Sequence, residues 1–334
     1  MPKIGVFMFQ DFGYPAFVDS AKLAEENDFD FFGLIDSTDA YSDYCPWAGL
    51  VAVNTSKILI GPWVTNPLTR HPRVTANHAL TIQELSRGRA MVGLGAGDNA
   101  VRSMGWKPAT PSVFREAMEI IRNKFKEKKA DIPIYYGGSG ERNTATALRL
   151  ADGITGAGAA GPRVTTDAVV QGIERLKAKA KEVGRDFNTL DIRTGMTFSL
   201  SYNRKEAIEE IKGLLARTMK GIFLDGSRPF PTELDRFREE AKKVAEAYDY
   251  FNHMRSHTPE GQLARHTKVM SDEFADAFGM AGTPSEMLPR FKVVWEAASQ
   301  YPNVNLVITP HGSKGGRKRS FELFVKEILP KLRS

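Results

Sequence analysis

Residues 57–98 read KILIGPWVTNPLTRHPRVTANHALTIQELSRGRAMVGLGAGD. The stretch opens on an apolar run, Lys57-Ile-Leu-Ile-Gly61, that carries on to Val64. Short apolar runs without strict alternation are what parallel strands buried on both faces look like. From Val74 to Leu85 the pattern is that of an amphipathic helix, and Ser86-Arg87-Gly88 is a glycine stop signal. Arg89-Ala-Met-Val-Gly-Leu-Gly95 is apolar again. Strand, helix, strand makes one βαβ unit.

The same alternation extends in both directions. Ile4–Phe9 and Phe31–Asp36 are strands before it; residues 132–136, 152–156, 190–200 and 304–309 are strands after it. Helical stretches fall at 14–27, 112–128, 142–150, 166–183, 205–219, 232–250, 283–298 and 320–332. Eight strands interleaved with helices predict an α/β fold, a (β/α)8 TIM barrel. A doubly wound open sheet is the competitor. It is disfavoured because no G-x-G-x-x-G follows the first strand. Residues 203–302 hold several helices and no clear strand, so they are expected to be a helical insertion before the last strand of a single domain.

Composition narrows the function classes. Of 334 residues, 42% are hydrophobic and 26% charged, which is ordinary for a globular chain. The single cysteine, Cys45, excludes an internal disulfide and a Cys-rich metal site, and fits a reducing compartment. The opening MPKIGVFMFQ lacks the pattern of a signal peptide, and no apolar run is long enough to span a membrane. A cytoplasmic protein with no membrane partner is expected. Forty-six basic against 40 acidic residues give +6, which is compatible with acidic ligands and is no nucleic-acid footprint by itself.

Barrel active sites lie at the C-terminal ends of the strands. There the chain places Asp36-Ser37, the run Gly61–Pro72, Gly93–Asp98, Gly137-Gly138-Ser139-Gly140-Glu141 and the glycine-rich Gly156–Gly161. Gly137–Glu141 is a strand-to-helix turn whose N–H groups could cradle a cofactor phosphate; the plain alternative is a tight βα turn. Lys314–Arg319, after the eighth strand, is a second place for a phosphate or an acidic tail, or else a solvated loop. Asp98 is a candidate proton donor, with a helix N-cap as its other reading. His71, before Pro72, reads as a structural histidine. His253 and His257 are spaced i,i+4, but no H-E-x-x-H pattern surrounds them, so no metal is expected. Phe7, Phe9, Tyr41, Tyr44, Trp47 and Trp63 line either the pocket or the core.

The residues VTNPLTRHP (64–72), ELSRGRA (84–90) and GLGAGD (93–98) resemble the luciferase-like superfamily, in particular its coenzyme F420-dependent branch containing methylenetetrahydromethanopterin reductase. IYYGGSGERN (134–143), GTPSEML (282–288) and FVKEILPKLR (324–333) extend the similarity over nearly the whole chain. The resemblance implies a barrel with an insertion, a homodimer, and a hydride transfer between F420 and a small-molecule substrate. It implies a non-prolyl cis peptide at Trp63–Val64 behind the deazaflavin ring. Trp63, Val64, Thr65, Asn66 and Asp36 would then contact the cofactor, Gly137 to Glu141 its phosphate, and Asp98 would donate the proton. The alternative within the superfamily is an FMN-dependent monooxygenase using reduced flavin from a partner reductase. Two positions depart from the relatives. Ser37 stands where sugar-phosphate and alcohol dehydrogenases have His, which leaves Ser37 as a second proton carrier. Phe7-Met8-Phe9 stands where methanopterin reductases have Glu.

Overall fold

The computed structural model describes residues 1–138, 140–155, 166–226, 230–249, 252, 264–312 and 315–334. The chain forms two compact units: Met1–Ala159 with Thr166–Met196 and Trp295–Thr309, and Ala160–Thr165 with Thr197–Val294 and Pro310–Ser334.

The first unit is the barrel. Its strands are β1 (Ile4–Met8), β2 (Phe31–Leu34), β3 (Leu59–Pro62), β4 (Val92–Leu94), β5 (Ile134–Gly137), β6 (Gly153–Thr155), the start of β7 (Asp191–Leu200), and β9 (Val304–Pro310). The order is β3-β2-β1-β9-β7-β6-β5-β4, and the registered pairs are parallel. Bridges Ile60–Ala90 and Thr65–Leu94 join β3 to β4 and bring the sheet round on itself. This is the (β/α)8 barrel expected, with each of the eight expected strands in place.

The barrel interior is aromatic. Phe31, Trp63, Met91, Tyr135 and Val307 form one buried cluster, with ring centroids 4.5 Å apart for Phe31–Trp63 and 5.1 Å for Trp63–Tyr135. Below it, at the N-terminal ends of the strands, lies Arg193. Its guanidinium pairs with Asp30 and Asp191 and stacks over Phe31 at 4.9 Å. Every carboxylate oxygen there is engaged: Arg193 takes both of Asp30, and Tyr135, Arg193 and Asn305 take those of Asp191.

Around the strands, α1 is Ala16–Glu26, α2 Tyr44–Asn54 and α3 Pro72–Leu85. His71 N-caps α3, its Nδ1 accepting from Arg73 N–H at 3.2 Å, with Pro72 in the first turn where no donor is needed. Beyond Ser86, Arg87 and Gly88 turn left-handed (φ 57° and 99°) and stop the helix. Arg89 then ties α2 to β3 by donating to the carbonyls of Ala52, Thr55 and Ile58. The α2 sequence, YCPWAGLVAVN, carries no polar stripe, and for that reason its period gave no helix signal.

The second unit is mostly helical. Helix Arg204–Phe223 packs with Arg238–Glu246 and Asp272–Phe278 around Ile211, Leu215, Met219, Phe237, Val244 and Phe274. The expectation of no strand between 203 and 302 is corrected: β8 (Ala281–Gly282) pairs with Ser199–Leu200. Two residues are too few to carry a period.

Candidate functional site

The described candidate residues sit on consecutive strand ends at the C-terminal face of the barrel. Asp36 follows β2 and is buried. Its Oδ2 accepts from the Thr65 hydroxyl at 2.6 Å and from Arg70 Nη1 at 2.7 Å. Thr65 is held by the β4 ladder: its N–H donates to Gly93 and its carbonyl accepts from Gly95. Arg70 reaches on to Asp43 Oδ2 at 2.8 Å, and its guanidinium lies 5.2 Å above the Tyr44 ring. Asp43 in turn N-caps α2 through Cys45 N–H.

These charges perturb one another. Burial works against the Arg70 charge, yet Asp36 and Asp43 outweigh it and hold the guanidinium above its ordinary value. Burial would raise the Asp43 carboxyl, but Cys45 N–H and Arg70 draw it below its ordinary value. Burial, with Asp36 adding, pushes the Tyr44 phenol up. Burial, with Arg70 adding, pushes His78 down.

The floor of the mouth is built from glycines and Val64. The Trp63–Val64 peptide is cis, as the resemblance implied. A Cβ on Gly93 would meet Val64 Cγ1 at 2.9 Å, one on Gly137 the same methyl at 2.7 Å. One on Gly95 would meet the Gly137 carbonyl oxygen at 2.8 Å and Val64 Cγ2 at 3.0 Å. The three glycines thus let a half-buried Val64 pack directly on the ends of β4 and β5, a shelf with no room for any Cβ.

Other candidates are placed differently from expectation. The Trp63 side chain points into the barrel core, so only its backbone borders the shelf. Asn66 spends its side chain on its own turn, Oδ1 accepting from Leu68 and Thr69 N–H at 3.0 Å and Nδ2 donating to the Thr69 hydroxyl. Glu141 is exposed and paired with Lys179 at 3.0 Å, so its carboxylate would repel a phosphate, and the Gly140 N–H is already hydrogen-bonded to the Tyr136 hydroxyl. Gly138 and Gly140 are described; Ser139 and Gly156–Gly161 lie outside the described residues, as do His253 and His257. The Ser37 carbonyl accepts from Ala40 and Tyr41 N–H, which fixes the turn after Asp36.

Asp98 stands at the N-cap of the short helix Asn99–Arg102 but makes no side-chain cap bond; Oδ1 instead accepts from Arg102 Nε at 2.8 Å. Of the aromatic residues, Phe7, Phe9 and Tyr41 stack in series at 4.7 and 5.3 Å. Trp47 packs against Phe17 of α1, and Tyr44 lies under Arg70. Among the described residues no group of three His, Cys, Asp or Glu could hold a metal.

The second unit corrects the reading of Lys314–Arg319. Arg317 is buried and donates to the Pro310 carbonyl at 2.6 Å. The buried Glu210 carboxylate, which accepts from Ser199 and Arg319, lies where a Cβ on Gly316 would stand. An internal anion therefore already occupies the first turn of helix Gly316–Leu323, so residues 316–319 are a helix turn and not a phosphate site; Lys314 lies outside the described residues. Arg70 is the site residue that sequence reasoning missed. It lay inside the TRHP run, but nothing local ties it to an aspartate 34 positions away.

The profile of the luciferase-like monooxygenase family matches residues 3–299. The chain is 28% identical to a 5,10-methylenetetrahydromethanopterin reductase of Methanopyrus kandleri, over 92% of each chain. It is 25% identical to an F420-dependent glucose-6-phosphate dehydrogenase of Nakamurella multipartita, over 69% of this chain and 77% of that one. The solved coenzyme F420-dependent tetrahydromethanopterin reductase of Methanopyrus kandleri superposes with a TM-score of 0.74 at 24% identity, covering 99% of both chains, and so shares the fold.

Proposed function

We propose that this chain, which belongs to the luciferase-like monooxygenase family, is an oxidoreductase that binds coenzyme F420 at the C-terminal mouth of its barrel and acts on a small organic substrate. The observation that carries the reading is the half-buried Val64 at the strand ends, packed on Gly93, Gly95 and Gly137 with no room for a Cβ, whose remaining apolar face can back a planar ring. The chain's similarity to F420-dependent dehydrogenases supports the choice of deazaflavin.

When bound, the deazaflavin supplies a two-electron hydride donor or acceptor; the protein supplies position and proton. The Val64 shelf backs the ring and excludes water from one face. Asp36, locked by Thr65 and Arg70, orients the ligand edge beside it. The Gly138 N–H, in the turn after β5, would meet the phosphate. Hydride addition to a polar double bond leaves an electron pair on one atom, and Asp98 delivers the proton that neutralises it. For Asp98 to reach the substrate, Oδ1 must leave Arg102. The Ser37 hydroxyl, one residue from Asp36, is the second carrier.

The protein works as a homodimer in a reducing, cytoplasmic setting. Two features support this: Leu50 and Val53 stand exposed on the apolar helix α2, and Cys45 is the single cysteine. Val53→Glu should halve the mass seen by light scattering. Among the described residues no helix is long and apolar enough to cross a membrane.

The deciding experiment titrates purified protein with F420 and with FMN, following fluorescence. Saturable F420 binding with weaker FMN binding is expected. FMN binding alone would move the assignment to the flavin-dependent monooxygenases, and binding of neither would overturn the enzyme reading.

A further inference from the structure

Asp36 is buried, and its two oxygens are not equivalent. Oδ2 carries two donors, Thr65 Oγ1 and Arg70 Nη1. Oδ1 takes no partner among the described residues and is not sealed from solvent. Arg70 is itself held in place from three sides: by Asp36 after β2, by Asp43 at the start of α2, and by the Tyr44 ring beneath it. Its planar fork can serve both carboxylates only with Asp36 in this rotamer.

We propose that Arg70 is the positioning residue of the mouth: it claims Oδ2 of Asp36 and leaves Oδ1 as a fixed, charged acceptor, so that the ligand group bound there is a hydrogen-bond donor, a hydroxyl or an N–H, and never a phosphate or carboxylate. The inference rests on the F420 reading, and it assigns the polar edge of the ring system or a ribityl hydroxyl, not the phosphate, to the Asp36 side. Anionic parts of the ligand belong to the turn after β5, at Gly138.

Exchanging the acceptor for an amide exposes the device. In Asp36→Asn, Arg70 and Thr65 still bring donors, so they claim the amide oxygen and force the NH2 toward the ligand. A donor then faces a donor. Removing the guanidinium as well, in Asp36→Asn/Arg70→Met, frees the amide to rotate and present its oxygen. The methionine keeps the aliphatic stem over Tyr44.

The test measures F420 dissociation constants by fluorescence for wild type, Asp36→Asn, Arg70→Met and the double variant, with melting temperatures alongside. Asp36→Asn should bind about 10–100-fold more weakly, the worth of a hydrogen bond to a charged group. Adding Arg70→Met should recover about tenfold of that loss. Arg70→Lys, which keeps the charge but not the fork, should bind between wild type and Arg70→Met. Losses that add, with no recovery in the double variant, would overturn the proposal, because a merely structural arginine gives that result. A wild type that binds no F420 defeats the cofactor reading instead, and the apo melting temperatures then decide Arg70 alone. Asp36→Asn should lower the melting temperature in the wild-type background and raise it in the Arg70→Met background, where the carboxylate has lost its counter-ion. A lowering in both would refute the coupling.

Discussion

Replacing Asp98 by Asn separates the chemical role from the structural one. The carboxylate makes no N-cap bond, so the substitution removes no cap. Among the contacts it changes is the ion pair to Arg102 at 2.8 Å, with both side chains about two-fifths exposed. An exposed i,i+4 pair is worth about 0.3–0.5 kcal/mol. In a chain of this size that should move the melting temperature by no more than about 1–2 °C. Cofactor affinity should stay within a few-fold of wild type, since Asp98 is not part of the glycine shelf or the phosphate turn. Turnover, by contrast, should fall at least about 100-fold, because an amide cannot deliver the proton. The assay follows F420 fluorescence in single-turnover mode, with a substrate found by screening reduced cofactor against small carbonyl and enone compounds. Arg102→Gln serves as the control: it breaks the same ion pair and should leave turnover within a few-fold. Full turnover in Asp98→Asn with an unchanged melting temperature would refute the acid role and leave the proton to Ser37 or water.

Further outcomes follow from other parts of the structure. A Cβ on Gly138 would stand 2.5 Å from the Tyr136 hydroxyl, so Gly138→Ala must displace that ring; an overpacking cost of about 1–3 kcal/mol and weaker cofactor binding are expected, and unchanged values in both would place the phosphate elsewhere. Burial lowers His266 to about 4, below its unfolded value of about 6.5. The unfolded chain therefore binds the extra proton first: this stability is complete above about pH 6.5 and is lost as pH falls toward 4, by about 1–3 kcal/mol at pH 4.5. Urea titrations should show that slope, and His266→Asn should flatten it. Arg193→Met leaves Asp30 and Asp191 without their counter-ion and should cost about 3 kcal/mol, the lower end for a broken buried pair because both carboxylates keep some exposure. A melting temperature within 1–2 °C of wild type, about the shift of a surface change, would count against that.

The strands were readable because each is an apolar run at a spacing that only a helix can fill. What escaped was whatever depends on partners far along the chain. Arg70, Arg193 and Glu210 read locally as polar residues, and no periodicity reveals that each is packed against opposite charges. Helix α2 escaped for the converse reason: apolar all round, it has no phase to detect. The glycines of the shelf were legible as flexible loops, but not as the absence of Cβ atoms facing Val64, which only the closure of β3 onto β4 creates.

Two arginines of the barrel, Arg70 and Arg193, differ in what they leave over. At the N-terminal end Arg193 sits between carboxylates whose four oxygens are all engaged, by Arg193, Tyr135 and Asn305. Nothing remains for a ligand, and the network can only hold β2, β5, β7 and β9 together. At the C-terminal end Arg70 engages one oxygen of Asp36 and leaves the other without a partner among the described residues. An ion pair that consumes every acceptor stabilises; one that keeps an acceptor back, in a mouth lined by Val64 and bare glycines, prepares a binding site. That asymmetry, present within one sheet, supports the proposal that the ligand binds at the end that carries Asp36 and not at the end that carries Arg193.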